Sequence, residues 1–112
     1  CPAGFASRPH MHTVSHETFY VLKGSATFLL GEEKHDGNVG DLIHIPPGVP
    51  HQMIAGDDGV SVLMVYSPGT TEAMFADMTA LTPDERADFK TGAAVAAKHN
   101  TIWVENFPEN QG

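Results

Sequence analysis

Two histidines one residue apart, followed by a carboxylate, are the residues of this sequence best suited to chemistry. His10 and His12 flank Met11, and Glu17 follows after four residues. Successive side chains of a strand point to opposite faces, so the two imidazoles would share one face. They could bind one ion together, and Glu17 could supply an anionic oxygen to it. We therefore expect one half of a metal site in this stretch.

A fourth ligand can come from the segment that ends at His51. Gly40 and Asp41 favour a turn, and the strand after them runs into the rigid bend Pro46 to Gly48. Because proline fixes φ and glycine relieves the corner, this bend can hold His51 in one orientation where a further strand begins. The predicted metal ligands are His10, His12, Glu17 and His51.

This donor set suits one divalent transition metal ion. Imidazole and carboxylate ligands are compatible with Fe(II), Mn(II), Ni(II), Co(II) or Zn(II), and no thiolate narrows the choice. With these four ligands, an ion that accepts six would keep two positions for a small-molecule substrate, or for a substrate and O₂. Glu17 could also act as the base that takes the substrate's proton.

The ligands need strands to position them, and the sequence after Glu17 has a strand pattern. Its alternation predicts a strand from Thr18 to Lys23, with Glu17, Phe19 and Val21 on one face. If Glu17 faces a metal, the other two side chains should line the same cavity. A turn is expected at residues 24–25.

The rest of the chain indicates a mainly β fold with short helices after the strands. Further strands are predicted over residues 26–30, 41–45 and 60–66, with a polar loop over 31–38. The strand over 60–66 carries Met64 and Tyr66 on one side, and its pattern leaves open whether that side faces the cavity.

Helical signals begin near residue 71. A helix is predicted over 71–81, and Thr82 with Glu85 forms a capping box around a proline at the start of a second helix. We expect Gly92 to interrupt this second helix and a short strand to follow around residues 102–104.

Three other histidines have simpler roles in this interpretation. His35 lies in the predicted polar loop and is expected at the surface, and His44 is expected at a rim or facing a partner. His16 is adjacent to Glu17 and should therefore point away from it.

Length and charge restrict the class of protein. A chain of 112 residues fits one domain. We divide it into a β-barrel core over 1–69, a helical segment over 70–100 that packs on the barrel, and a final strand and tail over 101–112. The net charge of −8 argues against nucleic acid and anionic membranes as partners. One cysteine allows no internal disulfide, and no apolar run is long enough to span a membrane, so we expect a cytoplasmic protein.

The spacing of the first motif resembles that of the cupin family. Gly4 is followed after five residues by His10, then after one by His12, after four by Glu17 and after six by Gly24. Every marked position of the family's first motif is matched. The resemblance implies a double-stranded β-helix, or jelly-roll barrel, with the four predicted ligands around one metal ion. Because cupins usually carry strands before this motif, the resemblance also predicts further strands ahead of residue 1.

The second cupin motif is matched through its last ligand. Gly40, Pro46, Gly48 and His51 stand at the family's spacing, whereas Ala55 occupies a position where the family often has asparagine. That asparagine is not a ligand in the family pattern. Small cupins have exposed sheet faces and edge strands, so we also expect a homodimer.

The C-terminal half is similar to quercetinase-like cupins. Their barrel is followed by a proline-glycine turn, an acidic and aromatic stretch, and an alanine-rich helix near a histidine, as in residues 67–78 and 93–104 here. This resemblance implies a dioxygenase that acts on a small enolisable or aromatic, flavonol-like substrate. A metal-assisted isomerase, lyase or hydrolase that consumes no O₂ is the first alternative. A non-catalytic cupin that binds a small molecule is the second.

Overall fold

The computed structural model describes residues 1–69, 71–105 and 107. The chain forms a mainly antiparallel β structure with short helices, which confirms the predicted fold class. The elements are β1 (His10–His12), β2 (His16–Leu30), β3 (Glu33–Asn38), β4 (Leu42–Ile45), β5 (His51–Ser67), α1 (Thr71–Thr79), α2 (Pro83–Ala87), α3 (Phe89–Ala97) and β6 (Thr101–Trp103). The strand order is β3-β2-β5-β1-β6, and β4 pairs with β2.

The long strands β2 and β5 pair along their whole length and form the centre of the sheet. Their register runs from the pair His16 and Ser67 to the pair Leu30 and His51, with irregularities around Gly24. The turn predicted at residues 24–25 is therefore wrong. Gly24 has φ 75°, and a Cβ there would collide with the backbone of β5, so this glycine bends a continuous strand where the two strands approach closely.

The polar stretch that was predicted to be a loop over 31–38 instead contains β3. Residues Glu33–Asn38 pair with the second half of β2. All of them are exposed except Gly37, over which the Phe28 ring packs. Because this edge strand buries almost no side chain, it shows no apolar alternation, and backbone pairing with β2 defines it.

Strand β5 begins at His51, as predicted, and continues through the separate strand that was predicted over 60–66. Its first half contains glycine and aspartate, which weaken the sequence signal for a strand. Ala55, the position where the cupin motif often has asparagine, lies buried in this half opposite Ala26. The core beneath the sheet is formed by Phe19, Val21, Ala26, Phe28, Ile45, Met53, Ala55 and Val60.

Three helices follow the sheet, rather than the two that were predicted. The predicted capping box is confirmed, because the Glu85 backbone N–H donates to the Thr82 hydroxyl and the Thr82 N–H donates to the Glu85 carboxylate. The helix that this box begins, α2, ends at Asp88, and the Asp88 side chain caps the start of α3. The prediction that Gly92 interrupts a helix is therefore wrong. Gly92 lies inside α3, where a Cβ would collide with the Trp103 ring.

The last strand returns the chain to the sheet. β6 pairs with β1, with His10 opposite Trp103 and His12 opposite Thr101. The predicted tail includes residues 106 and 108–112, which lie outside the described residues. Among the described helices, none has the length and hydropathy needed to cross a membrane.

Candidate metal centre

The strand register brings the four predicted ligands together. His10 on β1 lies opposite His51 on β5, and Glu17 on β2 lies opposite Tyr66 on β5. One ligand atom from each of the four predicted residues lies within 4.8 Å of all the others. Ligands on opposite sides of one ion, with bonds of about 2.1 Å, lie about 4.2 Å apart. The cluster therefore has the dimensions of a site for a single ion.

Two of the histidines donate a hydrogen bond from their outer ring nitrogen to a backbone carbonyl. His10 Nδ1 lies 2.6 Å from the Arg8 carbonyl oxygen, and His51 Nδ1 lies 2.9 Å from the Val49 carbonyl oxygen. A carbonyl oxygen only accepts hydrogen bonds, so the proton of each ring is on Nδ1. The Nε2 atom of each ring is left with a free lone pair.

His12 has the same tautomer for a different reason. Its Nδ1 lies 2.9 Å from the Thr101 hydroxyl, and that hydroxyl donates its own proton to the His99 carbonyl. Because the hydroxyl's proton is used, Thr101 accepts a hydrogen bond from His12 Nδ1. Partners of this kind orient metal-binding histidines in proteins.

The Glu17 carboxylate faces these lone pairs without forming a hydrogen bond to them. Its Oε2 atom lies 2.9 Å from His51 Nε2 and 3.1 Å from His12 Nε2, and all three atoms are buried without a hydrogen-bond partner among the described residues. Electron pairs that face one another at this distance repel, whereas a cation between them would satisfy every one. The donor set and its arrangement therefore fit a divalent transition metal ion.

Tyr66 binds the other oxygen of Glu17. Its hydroxyl donates a hydrogen bond of 2.9 Å to Glu17 Oε1. Burial and the nearby carboxylate raise the pKa of the Tyr66 hydroxyl, so it remains a donor at neutral pH. The sequence left the orientation of Tyr66 open, and the structure places it in the site.

Electrostatics keep the ligands in the protonation states that metal binding requires. Burial would raise the pKa of Glu17, but hydrogen bonds from His12 and His51 when these rings are protonated, and the hydrogen bond from Tyr66, outweigh burial and hold the pKa below its ordinary value. Burial, followed by the neighbouring His51, lowers the pKa of His10 to about 4. Glu17 is therefore anionic and His10 neutral at pH 7.

The predicted bend before His51 is tied to the strand that carries the other histidines. Gly48 has φ 83°, and its N–H donates a hydrogen bond of 2.7 Å to the His12 carbonyl. This contact fixes the start of β5 relative to β1.

A cavity of about 720 Å³ opens beside the four ligands. Phe19 lines it, as expected for the face that carries Glu17, and so do Met64 and Tyr66, whose orientation the sequence left open. Val21, which was expected to line it too, lies fully buried in the core. Most of the remaining wall is apolar, and its side chains include Phe28, Met53, Val62, Met74, Phe75 and Met78. A volume of this size fits a small organic ligand.

Residues 1–66 match the family described as the cupin domain, which is more than half of the chain. The chain is a cupin. Its membership agrees with the motif spacing, the antiparallel sheet and the four convergent donors.

This cupin is similar to several proteins over part of its length. An uncharacterized protein of Methanocaldococcus jannaschii is 38% identical over 52 residues, which cover 46% of this chain and 42% of that protein. The structure of KdgF from Halomonas sp. superposes with a TM-score of 0.55 at 25% identity, over 58% of this chain and 60% of the other. The chain thus spans less than two thirds of the length of either.

Two enzymes are also similar in structure. DMSP lyase DddQ from Ruegeria pomeroyi superposes with a TM-score of 0.53 at 30% identity, over 58% of this cupin and 33% of the lyase. Salicylate 1,2-dioxygenase from Pseudaminobacter salicylatoxidans has a TM-score of 0.57 at 20% identity, over 66% of this cupin and 21% of the dioxygenase. The second likeness shows the shared fold alone.

The remaining histidines lie outside the candidate metal centre. His16 and His44 stack on the outer face of the cupin sheet, with 3.3 Å between their ring nitrogens, and His35 is exposed beside Glu33. These positions agree with the predictions that His16 points away from Glu17 and that His35 is a surface residue, whereas His44, predicted at a rim or facing a partner, is exposed on the outer face. His99, near the end of α3, contacts the Asp77 carboxylate at 2.7 Å.

Sequence reasoning missed the groups that orient the ligands. Thr101 is separated from His12 by 89 positions, so only the pairing of β6 with β1 reveals their contact. The carbonyl groups of Arg8 and Val49 each lie two residues before a ligand histidine. That shared spacing was present in the sequence and could have indicated both.

Proposed function

We propose that this cupin binds one divalent transition metal ion through His10, His12, Glu17 and His51. The observation that supports it is that His12 and His51 direct lone pairs at one buried oxygen of Glu17, with a ligand atom of His10 within 4.8 Å of these atoms. The candidate ions are Fe(II), Mn(II), Ni(II), Co(II) and Zn(II).

Substitution of one ligand tests this assignment. His51→Ala should lower the metal content from about one ion per chain to a small fraction of that, because one ligand is lost and three remain. Elemental analysis of protein purified without added metal measures this, and circular dichroism checks the fold. His35→Ala, which removes an exposed histidine, is the matched control. Equal metal content in the two variants would contradict the assignment.

The proposed activity is that of a dioxygenase for a small enolisable or aromatic substrate. The cavity beside the donors supports it, because aromatic and methionine side chains form most of the wall and can hold a flat apolar molecule against the ligands. The metal, when bound, would polarise an oxygen of the substrate and supply redox chemistry with O₂. The side chains of the cavity wall would orient the substrate and keep bulk water away.

Glu17 and Tyr66 are proposed to move the substrate's proton. A substrate hydroxyl at the cavity wall would transfer its proton to the Tyr66 oxygen while the Tyr66 proton passes to Glu17 Oε1, along the existing hydrogen bond of 2.9 Å. Charge is conserved in this step, because the substrate becomes anionic as Glu17 becomes neutral. Glu17 Oε2 would remain directed at the histidines.

Oxygen consumption tests the dioxygenase proposal. With a panel of flavonols and other enolisable aromatic compounds, substrate loss in air should be matched by O₂ uptake at an oxygen electrode and should stop under nitrogen. Equal substrate loss under nitrogen would contradict dioxygenase activity and support the second candidate below.

A lyase or isomerase that consumes no O₂ is the second candidate. The hydrogen-bonded pair of Tyr66 and Glu17 can exchange a proton with a substrate carbon without any oxidant. The likeness to DMSP lyase DddQ, at 30% identity over 58% of this chain, also favours it. Metal that is retained without turnover of any compound, in air or under nitrogen, would instead favour a cupin that only binds a small molecule.

A further inference from the structure

The cavity has cationic side chains in its wall, although the protein as a whole is acidic. The chain has a net charge of −8 and two arginines, Arg8 and Arg86, and both line the cavity beside the metal ligands. Among the described residues, Glu17 is the one carboxylate in the cavity wall, and its oxygens face His12, His51 and Tyr66. The charge that the cavity offers to a ligand is therefore positive.

Arg8 is held in place by its neighbours. Its guanidinium carbon lies 4.4 Å from the centre of the Trp103 ring and 5.9 Å from that of Phe89, and Nη2 donates to the Ala87 carbonyl at 3.4 Å. Because Ala87 follows Arg86 directly, the two arginines lie on the same side of the cavity. Stacking on the aromatic rings fixes the plane of the Arg8 guanidinium.

Neither arginine is neutralised in the described part of the chain. Every ion pair found there joins a histidine to a carboxylate. Guanidinium groups bind carboxylates through two parallel hydrogen bonds, so an arginine fixed beside a cavity is suited to such an anion. An anionic ligand approaching this acidic protein would be repelled by most of its surface, and the two arginines would counter that repulsion at the cavity.

Arg8 contacts both the candidate metal centre, through its backbone, and the cavity, through its side chain. Its carbonyl accepts the hydrogen bond from His10 Nδ1, while its side chain reaches the cavity on the side of Trp103. A ligand bound by the Arg8 guanidinium would therefore lie within one small molecule's length of the metal ligands. The apolar wall between them, which includes Met64 and Phe75, would contact the body of that molecule.

We propose that Arg8 and Arg86 select a substrate that carries a carboxylate on an apolar, aromatic body, and that its other end reaches the metal ligands. The reacting end of this substrate rests on the proposed function, whereas the carboxylate site rests on the arginines alone.

Binding of a matched acid and amide tests the proposal without requiring turnover. The probes are 3-phenylpropanoate and 3-phenylpropanamide, which have nearly the same shape and differ in charge. Trp103 is the single tryptophan of the chain and lines the cavity, so its fluorescence should report binding, and titration calorimetry gives a second measurement. The acid should bind at least about tenfold more tightly, as expected for hydrogen bonds to a charged group.

Substitution of the arginines shows which groups cause the preference. Arg86→Gln removes an exposed cation and should reduce the preference for the acid severalfold, and the double variant Arg8→Gln with Arg86→Gln should abolish it. Lys90→Gln, which removes an exposed cation that does not line the cavity, should leave it unchanged. Because Arg8 packs on Trp103, calorimetry rather than fluorescence is used for its variants, and the single variant Arg86→Gln gives a test that does not depend on that packing.

Three outcomes would overturn the carboxylate site. They are equal affinity for acid and amide, no binding of either probe, and a preference that survives in both arginine variants, as it would if the acid bound the metal directly. Failure of the proposed function would give a different experimental result. In that case the preference for the acid would persist and depend on the arginines, while no compound in the panel would cause O₂ uptake.

Discussion

Each of the three candidate ligand histidines has its outer ring nitrogen bound to an acceptor. For His12 this acceptor is the Thr101 hydroxyl, and for His10 and His51 it is a backbone carbonyl. These contacts fix both the direction of each ring and the nitrogen that is free to bind a metal. The affinity of the site should therefore depend on residues that never touch the ion.

Substitution of Thr101 tests this dependence. Thr101→Val keeps the shape of the side chain but removes the acceptor for His12 Nδ1, so metal affinity should fall about 10- to 100-fold. Competition with a chromophoric chelator measures the change. Thr79→Val is the matched control, because the Thr79 hydroxyl bonds only to carbonyls of its own helix. An affinity within about twofold of the parent would show that Thr101 does not orient His12.

Glu17→Gln should have opposite effects on metal binding and on the stability of the metal-free protein. The Tyr66 hydroxyl needs an acceptor, so the amide oxygen should take the place of Oε1 and the NH₂ group should face the lone pairs of His12 and His51. The site would then be closed by N–H···N hydrogen bonds, each worth about 1 kcal/mol.

Two measurements on Glu17→Gln check this expectation. Metal content should drop to near zero, and the melting temperature should rise by roughly 6–12 °C over that of chelator-treated parent protein, as expected for about 2 kcal/mol in a chain of this size. A variant that keeps its metal, or that melts below the metal-free parent, would contradict the assigned tautomers.

At the scale of elements, α3 is positioned against β6 by the contact between Gly92 and Trp103. Gly92→Ala would gain about 1 kcal/mol of helix propensity but would press a methyl group into the Trp103 ring, and overpacking costs about 1–3 kcal/mol. We expect net destabilisation and a lower melting temperature, measured by circular dichroism. Lys90→Ala on the exposed side of the same helix is the control and should change stability little. A higher melting temperature for Gly92→Ala than for the parent would show that the ring can move aside.

Some elements and contacts could be predicted from the sequence, and others could not. The convergence of the candidate ligands could be predicted because strand alternation fixes the directions of His10 and His12 and a proline-glycine bend fixes that of His51. Gly24 was misinterpreted because a glycine between two apolar runs has the same pattern at a turn and at a bulge. Arg8 and Trp103 could not be assigned to the cavity, since their contact depends on pairing between the two ends of the chain.

At the scale of the whole molecule, one cavity is built from distant parts of the chain. Its wall combines the central strands with α1, α2 and β6, so the helical segment that follows the barrel contributes to the candidate binding site. The opposite side of the same sheet has no such cover among the described residues. Its outward side chains alternate with those that line the cavity and the core.

That outer face leads to the prediction of a homodimer. Tyr20 on β2 lies opposite Leu42 on one side and Leu63 on the other, and Val65 is two residues from Leu63 on the same face. Leu42 is 67% exposed and Leu63 is 54% exposed. Contiguous apolar surface on a sheet typically marks an interface. A second copy of the chain could bury it, because a patch of this kind can pair with itself around a twofold axis.

Light scattering after size exclusion tests the dimer, which should have twice the mass of one chain. Leu63→Glu should shift the protein to a monomer, because the dimer would then bury two uncompensated carboxylates at or near its twofold axis. Val39→Glu is the matched control, since Val39 is also exposed but lies in the turn between β3 and β4. A parent protein that stays monomeric at about 100 μM, a concentration at which a weak dimer of micromolar affinity would form, would contradict the prediction. So would a dimer that Leu63→Glu leaves intact, because the interface would then lie elsewhere.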